Sequence, residues 1–169
     1  IDDLGAAIKY IHEHQDELNV DIKDYICIGF SAAGHTVGEF GTDNHGYKSY
    51  GLPKPGLLGL CYPVISMNEF AHWLTKDNFL GKNPSQEQKD EYSIQKHVDN
   101  TYPKTFMWQC LEDNEVDIHN SMMMDEVLTK NKIPHIYETF DSNAHGWGIA
   151  TNKLADGWVD RLVQFYKAN

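Results

Sequence analysis

Four short apolar runs separated by stretches of helical periodicity limit what this chain can fold into more than any other feature. They are Tyr25 to Phe30, Leu57 to Tyr62, Thr105 to Cys110 and His135 to Phe140. Short runs so rich in β-branched and aromatic residues read as strands covered on both faces, the habit of parallel strands. Parallel neighbours need a crossover connection, and the intervening segments supply helices for it. The expectation is an α/β fold with a parallel sheet and helices on both faces.

The helical segments carry their own signals. Leu4, Ile8, Ile11 and Leu18 fall on one face of a helix over residues 2 to 18, with Asp2 and Asp3 at its positive end. A helix over residues 33 to 40 follows the first strand. Another, at about 120 to 131, uses Met124, Val127 and Leu128, with Lys130 and Lys132 near its negative end, while Met122 to Met124 read as packing. Leu154, Trp158, Leu162 and Phe165 line the last helix. Residues 41 to 55 are loop, rich in Gly, Asn and Pro. Residues 66 to 102 are polar and irregular, hold Phe70, Trp73 and Phe79, and read as a cap inserted over the carboxyl ends of the strands.

At 169 residues the chain suits a single domain, 1 to 169, that buries roughly 70% of its unfolded surface. A formal charge of −11 disfavours a nucleic-acid backbone or an anionic membrane as partner. No apolar run approaches the roughly 20 residues of a bilayer span. Cys27, Cys61 and Cys110 are odd in number and lie in or beside strands, which suits reduced core thiols and a cytoplasmic setting. The chain opens on Ile1 rather than Met, so a part ahead of it is expected.

Chemistry enters at Gly29-Phe30-Ser31-Ala32-Ala33-Gly34-His35. An apolar strand runs into a small-residue helix start, and the serine between them can occupy a sharp turn with its hydroxyl exposed. Backbone N–H groups at the start of the helix favour negative charge there. Asp113 follows the third strand and His145 the fourth, each just past a carboxyl end, where open α/β sheets place their working residues. Serine, acid and histidine thus occur in that order along the chain. Glu112, Glu115 and Asp117 compete with Asp113 within one acidic turn.

This order, together with Gly-Phe-Ser-Ala-x-Gly-His, Cys61-Tyr62-Pro63, Phe79 to Ser85, Asp113-x-x-Val116, Asn120-Ser121 and His145-Gly146, resembles the α/β-hydrolase superfamily. Within it the chain is similar to the acetyl-xylan-esterase and feruloyl-esterase-like lipases over nearly its whole length. Ala33 stands where that family has a second elbow glycine, and Asp117 where a proline commonly follows the valine. The resemblance implies Ser31 as nucleophile, Asp113 as acid, His145 as base and the Ala32 N–H as an oxyanion donor. The substrate would be an ester of a short acyl group, acetyl or feruloyl, on a small molecule or a carbohydrate, and no cofactor or metal is expected. A peptidase is the weaker reading, because related exopeptidases usually carry a further large domain.

The resemblance also implies an α/β-hydrolase fold lacking its N-terminal strands, whose His-Gly-Gly motif ordinarily completes the oxyanion hole. No His-Gly-Gly string is present. The missing segment, or a second chain, is then expected to pair with strand 25 to 30. The alternative is a truncated or non-catalytic hydrolase-like subunit. Other candidates read blandly: His35 as a packing residue, Trp147 as acyl-pocket wall or cap filler, His12 and His14 as unable to face one another, and Asp43 with His45 as a solvated loop.

Overall fold

The computed structural model describes residues 1–168 and contains one four-stranded sheet. The strands are β1 (Ile26–Phe30), β2 (Leu57–Cys61), β3 (Thr105–Cys110) and β4 (His135–Phe140), and every neighbouring pair is parallel. They lie in chain order, so each crossover joins adjacent strands and all four carboxyl ends share one rim. β2 and β3 are buried at every position, as expected for central parallel strands. Among the described residues β1 pairs only with β2 and is an edge. Its Ile28 is 39% exposed, and an apolar groove of about 340 Å³ between Leu4, Ile8, Ile22, Ile28 and Val37 runs beside it.

Alternation along the strands builds two cores. Leu58, Leu60 and Met107 point to one side, where they pack with Ile8 of α1 (Asp2–Glu13), Val37 and Phe40 of α3 (Ala32–Phe40) and Met124 and Leu128 of α6 (His119–Lys130). Leu57, Cys61, Phe106 and Trp108 point to the other, against Trp158 and Leu162 of α7 (Trp158–Lys167). Each large side chain buried in this way contributes about 1.5–3 kcal/mol. Arg161 of α7 holds Glu138 of β4 through two bonds of 2.7 and 2.9 Å, a planar fork that fixes the helix against the sheet.

Several boundaries differ from the sequence reading. The helix expected over 2 to 18 is two, α1 and α2 (Gln15–Leu18), parted at His14, whose Nδ1 bonds the Tyr10 carbonyl oxygen at the turn. Ile11 and Leu18 are exposed rather than core. The last helix starts at Trp158, after Gly157 in the left-handed region, and Leu154 lies outside it in solvent. A 3-10 turn at Tyr47–Tyr50 interrupts the expected loop. Met122 is exposed while Met124 is core. The segment after β2 forms α4 (Trp73–Leu80) and α5 (Gln86–Glu91). A capping box at Ser85 and Gln88 starts α5, and the His72 ring accepts from the Thr75 N–H to start α4.

All three cysteines are buried and unpaired. Among the described residues no helix is long and apolar enough to cross a membrane.

Candidate active site

Ser31 sits between β1 and α3 with φ 55 and ψ −120, a conformation that a residue with a side chain rarely adopts. Two glycines make room for it. A Cβ on Gly29 would lie 2.2 Å from the Ala33 carbonyl oxygen, and one on Gly34 would lie 2.9 Å from Pro63 Cα. The turn is then fastened to β2: the Ser31 N–H donates to the Cys61 carbonyl at 3.0 Å, and the Ser31 carbonyl accepts from Gly34 and Val64 N–H at 2.9 and 3.2 Å. Strain of this kind persists only where surrounding bonds hold it.

The structure brings together the three side chains singled out at the strand ends. Ser31 Oγ and His145 Nε2 are 2.8 Å apart. His145 Nδ1 lies 2.8 Å from Asp113 Oδ2 and 3.0 Å from Oδ1. A carboxylate only accepts, so the Nδ1 side carries the proton and Nε2 is free to accept from the serine hydroxyl. The Asp113 side chain is fully buried, and it also accepts from the N–H groups of Glu115 and Val116, each at 3.0 Å, and from Gln109 Nε2 at 3.2 Å. Its acidic neighbours are placed elsewhere. Glu112 and Glu115 are exposed, and Asp117 bonds His119 at 2.7 Å.

Tyr62 belongs to this arrangement although the sequence reading assigned it no role. Its ring meets His145 edge-on at 4.6 Å, and its hydroxyl accepts from the Gly148 N–H at 3.0 Å, tying β2 to the histidine loop. Trp158 Nε1–H holds the Gly148 carbonyl from beneath at 3.0 Å. The signal for Tyr62 was present in sequence, an aromatic at the end of a buried strand just before proline. Trp147 stacks on Trp108 at 6.3 Å and packs into the core. Ala32 is the first residue of α3, so its N–H has no acceptor within the helix and stands beside Ser31.

Two cavities open on Ser31. One, of about 410 Å³, continues past Ala32 between α3 and α4. The other, of about 620 Å³, is lined by His145 and the loops that follow β3 and β4. His35 and Glu39, on the α3 side of the first cavity, are both buried. The His35 Nε2–H donates to the Tyr92 carbonyl at 2.8 Å, and burial pulls the imidazole down to about 4. Burial pushes the Glu39 carboxyl up to about 7 from its ordinary 4.5.

Between those two values the folded state holds a proton that the unfolded chain has released, so Glu39 makes stability fall as pH rises. At about 1.4 kcal/mol per unit, Glu39→Gln is expected to gain about 2–3 kcal/mol over wild type at pH 8 relative to pH 4.5. Denaturant unfolding at the two pH values checks this, and equal gains at both would refute it.

Three of the other residues weighed in the sequence take other parts. His14 stacks on Tyr10, Asp43 pairs with Lys48, and His45 bonds Glu91 at 2.7 Å. Among the described residues no group of three or more His, Cys, Asp or Glu could hold a metal ion.

Comparison with known proteins places the chain among hydrolases. The model of the prolyl oligopeptidase family, Peptidase_S9, matches residues 1–169. An acetyl ester-xyloside bifunctional hydrolase from Caldicellulosiruptor lactoaceticus superposes with a TM-score of 0.81 at 30% identity, over 95% of this chain and 60% of that one. The carboxylesterase Cest-2923 from Lactobacillus plantarum WCFS1 gives 0.72 at 26% identity, over 87% and 55%. Among curated proteins, endo-1,4-beta-xylanase B from Butyrivibrio fibrisolvens is 29% identical over 164 residues, 94% of this chain. The chain spans about a quarter of that relative's length, 26%, and little more than half of the two solved structures.

Proposed function

This chain belongs to the prolyl oligopeptidase family of α/β hydrolases, and on that footing we propose that it cleaves carboxylic esters of short acyl groups, of acetyl or feruloyl type, from carbohydrate or small-molecule alcohols. The observation that carries this is the pair of 2.8 Å contacts linking Ser31 to His145 and His145 to Asp113. The family model bears a peptidase's name, whereas the solved structures at 30% and 26% identity are an acetyl ester-xyloside hydrolase and a carboxylesterase. Their chemistry favours the ester.

In this reading Ser31 Oγ attacks the ester carbonyl while His145 Nε2 takes its proton. Asp113, buried and held by three other donors, fixes the ring and stabilises the imidazolium that forms. The tetrahedral oxyanion meets the Ala32 N–H. His145 passes its proton to the departing alkoxide, leaving an acyl-serine and a free alcohol. Water then enters, loses a proton to His145 and attacks the acyl carbon; as the C–Oγ bond breaks, His145 returns that proton to Ser31 Oγ, which releases the acid and restores the site.

One backbone donor is a weak oxyanion site, since removing a single donor from such a site typically costs about 10²–10³-fold in rate. We propose that a further segment pairs with the free side of β1, covers the apolar groove beside Ile28 and brings the second donor. The bare edge and its groove support this, because a long unpaired apolar edge invites association. A monodisperse monomer with fast-exchanging outer amides on β1 in the intact protein would argue against it.

Incubation of the intact protein with a fluorophosphonate tests the main reading. A single adduct on Ser31, with loss of ester hydrolysis in step with labelling, is expected. A protein that resists labelling is not a serine hydrolase.

A further inference from the structure

The two cavities that meet at Ser31 are told apart by His145. The imidazole that takes the serine proton returns it to the departing oxygen, so the alcohol leaves on the side where His145 stands. The cavity lined by His145, Asn114, Glu115 and Asn143 is therefore the alcohol side. The other cavity, which starts at Ser31 and Ala32, is left for the acyl group. This assignment rests on Ser31 and His145 acting as described above.

The acyl side holds a group that the chemistry so far does not use. Glu39 is among the residues that line the cavity, is 4% exposed, and its Oε1, closed off from solvent, has no hydrogen-bond partner. Its other oxygen faces His35 Nδ1 at 3.7 Å, beyond a hydrogen bond. His35 has already committed its Nε2–H to Tyr92, so Nδ1 of the neutral ring is itself an acceptor. The carboxyl, pushed up by burial, can turn a proton on Oε2 toward that nitrogen. Oε1 is then an acceptor whichever state the group is in, and buried acceptors in native proteins ordinarily have a donor.

Reach decides what could bring that donor. Glu39 follows Ser31 by eight positions on α3, about 12 Å along a helix that rises ~1.5 Å per residue. Side chains lean toward the helix N-terminus, which shortens the gap to roughly 9 Å. An acetyl group attached to Ser31 falls far short. An acyl group that spans the gap and ends in a hydroxyl does not. Leu74 and Phe79 offer apolar wall for the body of such a group, and Thr36 and Asn78 lie along the same cavity.

We propose that Glu39 is a specificity-determining residue whose carboxyl turns its Oε1 to the cavity and accepts a hydrogen bond from a hydroxyl at the far end of an acyl group of feruloyl length seated between α3 and α4. The test compares kcat/KM of the intact protein for methyl 4-hydroxycinnamate and methyl cinnamate, which differ only in that hydroxyl. Wild type is expected to favour the hydroxylated ester by about tenfold or more, the worth of one such bond. In Glu39→Leu the ratio is expected to fall to about one, and Glu39→Gln, which keeps an acceptor oxygen, to retain most of the preference. A wild-type ratio near one, or an unchanged ratio in Glu39→Leu, overturns the assignment.

Should the leucine variant not fold, inhibition of the wild type by the two free acids carries the same comparison: tighter inhibition by 4-hydroxycinnamate is expected, and equal inhibition overturns it. Failure of the underlying reading looks different. A protein that is neither labelled at Ser31 nor able to cleave 4-nitrophenyl acetate is no serine esterase. One that is labelled and cleaves acetate, yet ignores the hydroxyl, removes Glu39 alone from the account.

Discussion

Ser31→Ala is expected to lower the turnover of any ester that the intact protein cleaves by at least about 10⁴-fold, because nucleophile and base act as one unit. The hydroxyl has a single role and no structural bond besides that to His145. Its removal leaves the backbone contacts to Cys61, Gly34 and Val64 in place. Stability should therefore change little, and binding of an ester or product should survive. Steady-state kinetics beside a thermal melt checks both halves. A variant that melts like wild type and turns over within tenfold of it would remove Ser31 from the chemistry.

Asp113→Asn is expected to cost about 10⁴-fold in kcat. An amide at this position offers an N–H₂ where the carboxylate offered a second acceptor oxygen, so the ring is driven toward the tautomer whose Nε2 carries the hydrogen and cannot accept from Ser31. The fold should feel the change too, since Asp113 also accepts from Gln109, Glu115 and Val116 and is fully buried. Losing part of that set costs about 1–3 kcal/mol. The combined Ser31→Ala, Asp113→Asn protein should be no slower than Ser31→Ala alone. If it were slower by a further large factor, Asp113 would have a role independent of the serine.

Much of this arrangement is legible in the amino-acid order. The four strands fall within a residue of where apolar runs put them; β2 and β3 are buried along their whole length, and the partly exposed β1 and β4 still keep enough apolar residues to mark their limits. Ser31, Asp113 and His145 stand out for a separate reason: each lies shortly after the carboxyl end of a strand, and parallel strands in chain order bring those ends to one rim. Asp113 could not be separated from Glu112, Glu115 and Asp117 by pattern, since what distinguishes it is the set of donors folded around it.

The less legible features depend on contacts across space. His14 splits α1 from α2 although its neighbours keep helical periodicity, and Leu154 continues the pattern of α7 while Gly157 delays the helix until Trp158. His35 reads correctly as a packing residue, yet its partner Glu39 passes unnoticed as one more acidic residue on a helix. Only the depth at which α3 sits turns it into a buried carboxyl on a cavity wall. A histidine and a glutamate four apart, just after an elbow, were the available clue.

The elbow is stitched to the inner neighbour β2 rather than to the open side of β1, through Cys61 at the β2 terminus and Val64 just past it. The position of the attacking oxygen is thus fixed by bonds that do not involve the outer flank of β1. The segment proposed for that flank could then be exchanged, by evolution or an engineer, without disturbing the aim of the hydroxyl.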